Sequence, residues 1–211
     1  MIDMGPTTNT RALLVEGLDD RKVVENLLDK CNLCHLDIKV EVKGGFDQLR
    51  KSISSELKVS GREALGILVD ANDDLCARWQ SITDQLDRAG AGFHAPPKPS
   101  YGGAVLTGSR GIRVGVWLMP DNRSSGELED FVFKMIPQSD PILPQSMKYI
   151  DGIDAGDRKF NNNKITGAYV HAWLATLESP RQMGTAILSG DLNINAEEAV
   201  LFVDWIKELY K

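Results

Sequence analysis

Acidic side chains follow three apolar runs of this 211-residue sequence, each a short distance beyond the end of its run. The three groups are Glu16 with Asp19 and Asp20; Asp70 with Asp73 and Asp74; and Asp121 with Glu127, Glu129 and Asp130. If the runs are parallel strands of one sheet, their carboxyl ends share the edge at which such sheets bind ligands. Carboxylates gathered there repel one another unless a cation lies among them, and oxygen ligands suit Mg²⁺ or Mn²⁺. The pattern therefore predicts a divalent-metal site that could bind phosphate and activate water.

A helix-capping role is the alternative for each of these acids. Aspartate is a favoured helix N-cap, and acids in the first turn of a helix are stabilised by the helix dipole. For any single acid, capping or solvation is the simpler interpretation. Only the recurrence of acids after three runs favours a shared site, so the residues alone leave both interpretations open.

The apolar runs alternate with amphipathic segments that have helical spacing. We predict strands at 11–15, 37–42, 64–69, 104–106 and 114–119, with helices after most of them and two closing helices at 164–177 and 196–210. Alternating strands and helices pair their strands in parallel through crossover helices. The sequence thus predicts an α/β fold with a mostly parallel central sheet flanked by helices. We expect one domain over residues 1–211, with a core at about 11–135 and a C-terminal helical extension at about 136–211 packed on it.

Composition and charge exclude several classes of protein. The chain carries 24 Lys and Arg against 30 Asp and Glu, a net charge of −6, which excludes a globally basic nucleic-acid coat. No run approaches the ~18 apolar residues of a spanning helix, and the first twenty residues lack the features of a secretory signal. We therefore expect a cytoplasmic protein with no membrane partner. No G-x-x-x-x-G-K-[ST] motif occurs, which disfavours a P-loop nucleotide site.

Other reactive residues have simpler structural interpretations. Cys31 and Cys34 form a CxxC pair, but no second Cys or His pair completes a zinc site, so we expect reduced thiols packed at a helix end. His171 lies on an apolar helical face, which favours a core histidine. The four tryptophans fall at core-like positions of predicted elements, where packing is the expected role.

Three motifs in order along the chain resemble a Toprim domain. They are LLVEG followed by DD at 13–20, ILVDAND at 67–73, and VWLMPDN with SGELED at 116–130. The sequence is similar more narrowly to small stand-alone bacterial Toprim-like proteins related to the Toprim half of the overcoming-lysogenization-defect (OLD) nucleases. HAWLAT at 171–176, MGTAI at 183–187 and FVDWI at 202–206 also look typical of them, so the resemblance covers about residues 11–206.

This resemblance implies a role for three acids of the first two groups, Glu16, Asp20 and Asp70. Glu16 matches the glutamate that acts as metal ligand or general acid/base, and Asp20 matches an acid of the nuclease branch. Asp70 matches the aspartate after the third strand. Asn72 stands where the family usually has a second acid, and an amide oxygen can ligate a metal but brings no charge. The change lowers the expected metal affinity, unless the neighbouring Asp73 compensates.

The resemblance also implies a second part of the site. Glu129, with Asp130 beside it, matches the Gly-x-Leu-Glu element of the second metal site in the nuclease branch. Lys164 is the best positional match for a late lysine that stabilises developing negative charge.

The function implied by the resemblance is metal-dependent phosphodiester cleavage of nucleic acid, with Mg²⁺ or Mn²⁺ as cofactor. An ATPase encoded nearby is the expected protein partner, because OLD nucleases pair a Toprim domain with an ATPase. Two alternatives stay open. One is a non-catalytic interaction or regulatory module, which Asn72 and the acidic charge would allow; the other is hydrolysis of a small phosphorylated molecule. The sequence does not determine the substrate or the oligomeric state.

Overall fold

Strands and helices alternate over the first two thirds of the chain. The computed structural model describes residues 10–211. The strands of this range are β1 (Arg11–Val15), β2 (Lys39–Val42), β3 (Ala64–Asp70), β4 (Ala104–Thr107) and β5 (Arg113–Met119). The helices are α1 (Leu18–Lys30), α2 (Phe46–Glu56), α3 (Leu75–Arg88), α4 (Leu128–Met135), α5 (Leu143–Asp151), α6 (Ile165–Leu174), α7 (Met183–Ser189) and α8 (Glu197–Tyr210).

The five strands form one sheet in the order β2-β1-β3-β5-β4. All neighbouring pairs are parallel except β4 and β5, which are antiparallel. The central strand β3 is buried along nearly its whole length, as its continuous apolar run predicts, and the alternating strand β2 lies at an edge. The predicted α/β fold with a mostly parallel sheet flanked by helices is confirmed.

Helices cover both faces of the sheet. One face packs against α1, α4, α6, α7 and α8, and the other packs against α2 and α3. On the first face, the rings of Trp117 and Phe202 meet edge to face with centroids 5.2 Å apart. Such a pair contributes about 0.5–1.5 kcal/mol beyond the burial of its area. All four tryptophans are buried, as predicted.

The last helix is fixed to the middle of the sheet by glycines and one buried hydroxyl. Tyr210 Oη donates to the carbonyl oxygen of Ala12 on β1 at 2.7 Å. A Cβ at Gly66 on β3 would lie 2.5 Å from Tyr210 Oη, and one at Gly115 on β5 would lie 2.5 Å from Leu209 Cδ2. The absence of side chains at these two glycines therefore allows α8 to pack directly on the strands.

Two helices of the C-terminal extension were not predicted. Pro144 would break a helix in its interior, but it lies in the first turn of α5. The N–H groups of a first turn have no partner within the helix, so a proline there removes no helical hydrogen bond. The other helix, α7, is followed by Gly190 as its C-cap, with φ +83°. Because α7 has only seven residues, it is too short to show a helical period in the sequence. The predicted helix at 164–177 is shorter than expected, spanning Ile165–Leu174 after a 3-10 turn at Asn162–Lys164.

The two cysteines of the CxxC pair differ in exposure. Cys31 is half-buried, but Cys34 is exposed, so the expected packing of both at a helix end is wrong for Cys34. Both thiols are free.

Among the described residues, no helix is both long and apolar enough to cross a membrane. The single domain over 1–211 stays a prediction, and its first nine residues lie outside the described residues.

Candidate functional site

The carboxyl ends of β1 and β3 and the start of α4 enclose a polar cleft of ≈ 310 Å³. It is lined by six of the seven residues predicted for the site, which are Glu16, Asp20, Asp70, Asn72, Glu129 and Lys164. Glu16 and Lys164, the two most distant of these residues in sequence, are 148 positions apart, and the fold brings them together. We call this cleft the acidic pocket.

Asp70 connects the elements around the acidic pocket. Its backbone N–H donates to Glu16 Oε1 at 2.9 Å, which ties the end of β3 to the end of β1. Its own Oδ1 accepts from the backbone N–H of Leu128 at 3.0 Å, at the first residue of α4. The helix N-terminus thus stabilises the negative charge of Asp70, and Asp70 accepts one of the free N–H groups of the first helical turn.

A short backbone bridge holds the loop after β3 against the loop before α4. Asn72 and Gly126 exchange two backbone hydrogen bonds, each of 2.8 Å. Asn72 has φ +51°, in the left-handed region, which asparagine and aspartate adopt more readily than other non-glycine residues. This local conformation is a physical reason for an Asn at the position, and it is also compatible with Asp.

Asp20 carries an unsatisfied oxygen at the pocket wall. Its Oδ2 accepts from the backbone N–H of Gly17 at 2.8 Å and caps α1, whereas its buried Oδ1 has no hydrogen-bond partner among the described residues. Burial raises the pKa of Asp20 to about 6, with the charge of Glu16 adding to the shift and the Gly17 N–H opposing it. An orphaned buried carboxylate oxygen costs free energy unless something pairs with it.

The carboxylates of the pocket raise one another's pKa. Burial raises the pKa of Asp70 to about 8, and the charges of Asp20, Glu16, Glu127 and Glu129 contribute to the shift. Burial also raises the pKa of Glu16, although the backbone N–H of Asp70 and the charge of Arg78 oppose it. Ionising all of these carboxylates together is therefore unfavourable in the folded protein without a cation.

Glu127 belongs to the third acidic group of the sequence, but it was not among the predicted site residues, and it lines the pocket. It is the N-cap of α4, and its Oε1 pairs with Lys164 Nζ at 2.7 Å. The amide of Asn72, with its oxygen toward Arg78, donates to Glu127 Oε1 at 2.9 Å and accepts from Arg78 Nη2 at 2.6 Å. The hydrogen bond to Glu127 raises the pKa of the Lys164 ammonium. The signal for Glu127 was its place one residue after Gly126, at the start of a predicted helix.

Helix α6 forms the wall on the Glu129 side. Gly167 faces Glu129, and a Cβ at position 167 would lie in ordinary van der Waals contact with Glu129 Cγ, 3.5 Å away. His171 Nε2 lies 3.9 Å from Glu129 Oε1, and the His171 side chain is 61% exposed. The expectation of a core histidine is therefore wrong. In this part of α6, Trp173 and Leu174 are the buried residues. The His171 side chain is exposed to solvent beside the acidic pocket.

Several acids of the predicted set have structural roles. Asp130 does not line the acidic pocket; its Oδ2 accepts from the backbone N–H of Glu127 at 2.8 Å, within the first turn of α4. Asp121 pairs with Lys134 at 2.7 Å, and Asp74 caps α3 by accepting from Ala77 N–H at 2.9 Å. The capping interpretation is thus right for Asp74 and Asp130, whereas Asp121 forms an ion pair and accepts from the backbone N–H groups of Arg123 and Ser124.

The donor set of the acidic pocket fits a hard divalent cation. In the part of the chain that the structure describes, no three His, Cys, Asp or Glu side chains are already arranged to hold a metal ion. Six carboxylates nevertheless line one cleft, and the buried Asp20 Oδ1 lacks a partner among the described residues. A cation would remove both the mutual repulsion and the unsatisfied oxygen, and oxygen-rich donor sets of this kind suit Mg²⁺ or Mn²⁺.

Comparison with known proteins gives one family and one related structure. The family model described as "Protein of unknown function (DUF3226)" matches residues 10–211. No curated protein sequence matches the chain significantly. Among solved structures, the fold is similar to the "C-terminal region of the Burkholderia pseudomallei OLD protein", with a TM-score of 0.50 and 12% identity, covering 96% of this chain and 99% of that one. At this identity the similarity shows the fold alone. Since the family model spans all but the first nine of the 211 residues, the chain belongs to the DUF3226 family.

Proposed function

We propose that the protein is a Toprim-like, divalent-metal-dependent phosphodiesterase that cleaves nucleic acid. The observation that carries the proposal is the acidic pocket, in which buried carboxylates repel one another and Asp20 Oδ1 has no partner among the described residues. Such an arrangement is costly in a folded protein unless a cation offsets it. Perturbed acids in a cleft are typical of functional sites.

The metal would be held by Glu16, Asp20, Asp70 and Glu129 after rotation of their side chains. Asn72 and Asp130 are weaker candidates, because the amide oxygen faces Arg78 and the Asp130 carboxylate caps α4. When bound, Mg²⁺ or Mn²⁺ supplies Lewis-acid polarisation of a phosphate and of the attacking water.

Two side chains would act on the reacting groups. Burial raises the pKa of Glu16 toward the working pH, which suits a residue that takes a proton from water. Lys164 lines the pocket with half of its side chain exposed, and its only ion-pair partner among the described residues is Glu127. A phosphate in the pocket can share the Lys164 ammonium, which then stabilises negative charge that develops as the ester bond breaks.

The fold comparison supports this proposal at the level of architecture. The related solved structure belongs to an OLD protein, and the motifs at 13–20, 67–73 and 116–130 resemble the Toprim nucleases of that group. By the same resemblance, we propose an ATPase as the protein partner. A shared fold alone does not establish an activity, so the reaction requires a direct test.

A non-catalytic regulatory module is the second candidate. The neutral Asn72 and the Glu127–Lys164 ion pair favour it, because both reduce the charge available to hold a metal. In that case the pocket would serve as a scaffold for a partner protein without turnover.

Cleavage assays on three proteins separate the two candidates. Wild type, Glu16→Gln and Asn72→Asp are incubated with labelled single-stranded and duplex DNA and RNA, in Mn²⁺ and in chelator. A nuclease should cleave only with metal, lose at least about 100-fold in rate with Glu16→Gln, and gain activity and Mn²⁺ affinity with Asn72→Asp.

The same assay has a clear negative outcome. No cleavage by wild type or Asn72→Asp, alone and with an ATPase of the kind proposed as partner added, would refute the nuclease proposal and favour the regulatory module. Asp19→Asn is the matched control, since it removes one exposed charge at the rim of the same pocket and should leave the rate unchanged.

A further inference from the structure

A second cleft of ≈ 380 Å³ adjoins the acidic pocket and shares Asn72 with it. Arg78 and Phe46 form part of its lining. We propose that this cleft, which we call the base cleft, binds an unpaired nucleobase beside the bond that is cleaved. The substrate is then single-stranded nucleic acid. The inference rests on the proposed function and names its substrate class.

The lining offers a stacking surface for a planar ring. The Arg78 guanidinium lies over the Phe46 ring, with its central carbon 3.7 Å from the ring centroid. This cation–π contact holds the planar guanidinium in place. Among residues 10–211, no carboxylate forms an ion pair with Arg78. Nucleobases stack on guanidinium planes as well as on aromatic rings in proteins that bind single strands.

The polar groups of this cleft suit a base better than a phosphate. Asp73 and Asp74 lie at its lining and are exposed; one accepts from Asn163 Nδ2 at 3.1 Å, and the other caps α3. Two carboxylates beside a single guanidinium disfavour a second phosphate in the cleft. They can instead accept hydrogen bonds from the amino and imino groups of a base, as the hydroxyl of Ser81 can also do.

Asn72 couples the base cleft to the acidic pocket. Its side-chain amide lies between Arg78 Nη2 at 2.6 Å and Glu127 Oε1 at 2.9 Å, and Glu127 in turn pairs with Lys164. A strand whose phosphate enters the acidic pocket therefore places an adjacent nucleotide next to Arg78. In a duplex that base is paired and stacked, and extracting it costs a few kcal/mol. The geometry thus favours single strands.

Binding measurements test this inference separately from cleavage. Fluorescein-labelled single-stranded DNA, the same sequence as a duplex, and a strand with abasic sites in place of its bases are titrated by anisotropy in Ca²⁺. We expect wild type to bind the single strand about 10-fold more tightly than the duplex or the abasic strand, as is typical of the loss of one stacked base. Arg78→Ala should bind the single strand about 10-fold more weakly than wild type does, and its affinity for the duplex and the abasic strand should be unchanged.

Two further variants distinguish stacking from charge and from general effects. Arg78→Lys keeps the positive charge but has no planar group. It should therefore bind the single strand about as weakly as Arg78→Ala does. Arg88→Ala removes an exposed arginine from the far end of the same helix and should bind like wild type. Circular dichroism and Mn²⁺-induced thermal shifts for each variant show that the fold and the acidic pocket are intact.

The outcomes separate this inference from the proposed function. Equal binding of single strand, duplex and abasic strand, full binding by Arg78→Lys, or no binding by wild type would each overturn the base cleft. Cleavage that proceeds equally on the abasic strand would overturn the cleft but support the nuclease. Arg78-dependent binding without any cleavage would support the cleft and refute catalysis.

Discussion

Replacing Asp70 by Asn should stabilise the metal-free protein, with an effect that grows as pH rises. The folded state holds the Asp70 proton more tightly than the unfolded chain, because burial and neighbouring acids raise its pKa to about 8 from an ordinary 3.8. Stability is therefore unaffected by this group below pH 3.8, falls as pH rises toward 8, and is constant above that. Asparagine removes the titration and still offers an oxygen to the Leu128 N–H, which donates to Asp70 at 3.0 Å.

The size of the effect follows from linkage. If the whole pKa difference were realised, the penalty removed would be about 1.7 kcal/mol at pH 5 and about 4 kcal/mol at pH 7. Because side chains relax and water enters the cleft, we expect a gain of ~1–3 kcal/mol at pH 7 and less than half of that at pH 5.

Urea denaturation in chelator at pH 5, 7 and 8.5 measures this difference. The control is Asp19→Asn, which removes an exposed charge from the first turn of α1 and should lose up to ~1 kcal/mol because the helix dipole favours an acid there. With Mn²⁺ added, wild type should gain stability and Asp70→Asn should lose most of that gain. A variant no more stable than wild type at pH 8.5, or a difference independent of pH, would refute the repulsion argument.

Three other changes test the packing and the predicted site. Gly66→Ala should destabilise the fold by about 1–3 kcal/mol in urea, because its Cβ would lie 2.5 Å from Tyr210 Oη; wild-type stability would contradict the close packing of α8. The Cys31→Ala, Cys34→Ala double variant should cost about 1 kcal/mol and leave metal content unchanged by elemental analysis, since Cys34 is exposed; zinc lost with the thiols would reverse this. Asn72→Asp should lower the melting temperature in chelator and enlarge the Mn²⁺-induced shift, and a smaller shift would exclude the position as a ligand.

The sheet could be predicted from the sequence because each strand had its own local signal. The continuous apolar run that precedes Asp70 predicted the strand that lies at the centre of the sheet, and the alternating residues at 37–42 predicted the strand that lies at an edge. The helices α5 and α7 had no such signal. One begins with proline in its first turn and the other has seven residues, so tertiary packing rather than periodicity determines them.

The acids of the site could be predicted as a group but not individually. Glu16, Asp20 and Asp70 line one pocket, while Asp130 caps a helix although it stands next to a pocket residue. Adjacent residues such as Glu129 and Asp130 are separated by about 100° around a helix. At the start of a helix, the spacing of residues in the sequence does not tell which of the two faces the pocket. Chain position alone also could not show that His171 faces solvent.

The backbone bridge between Asn72 and Gly126 explains why the acidic pocket and the base cleft occur together. It brings the loop after β3 against the start of α4, so that the amide of Asn72 contacts Glu127 on one side and Arg78 on the other. An aspartate at position 72 would add a charge to the acidic pocket, but it would also form an ion pair with Arg78 and compete with a stacked base for the guanidinium. The neutral residue therefore keeps Arg78 available at the cost of metal affinity. On this argument, Asn72→Asp should strengthen Mn²⁺ binding and weaken single-strand binding in the same protein. Strengthening of both would show that the two clefts are independent.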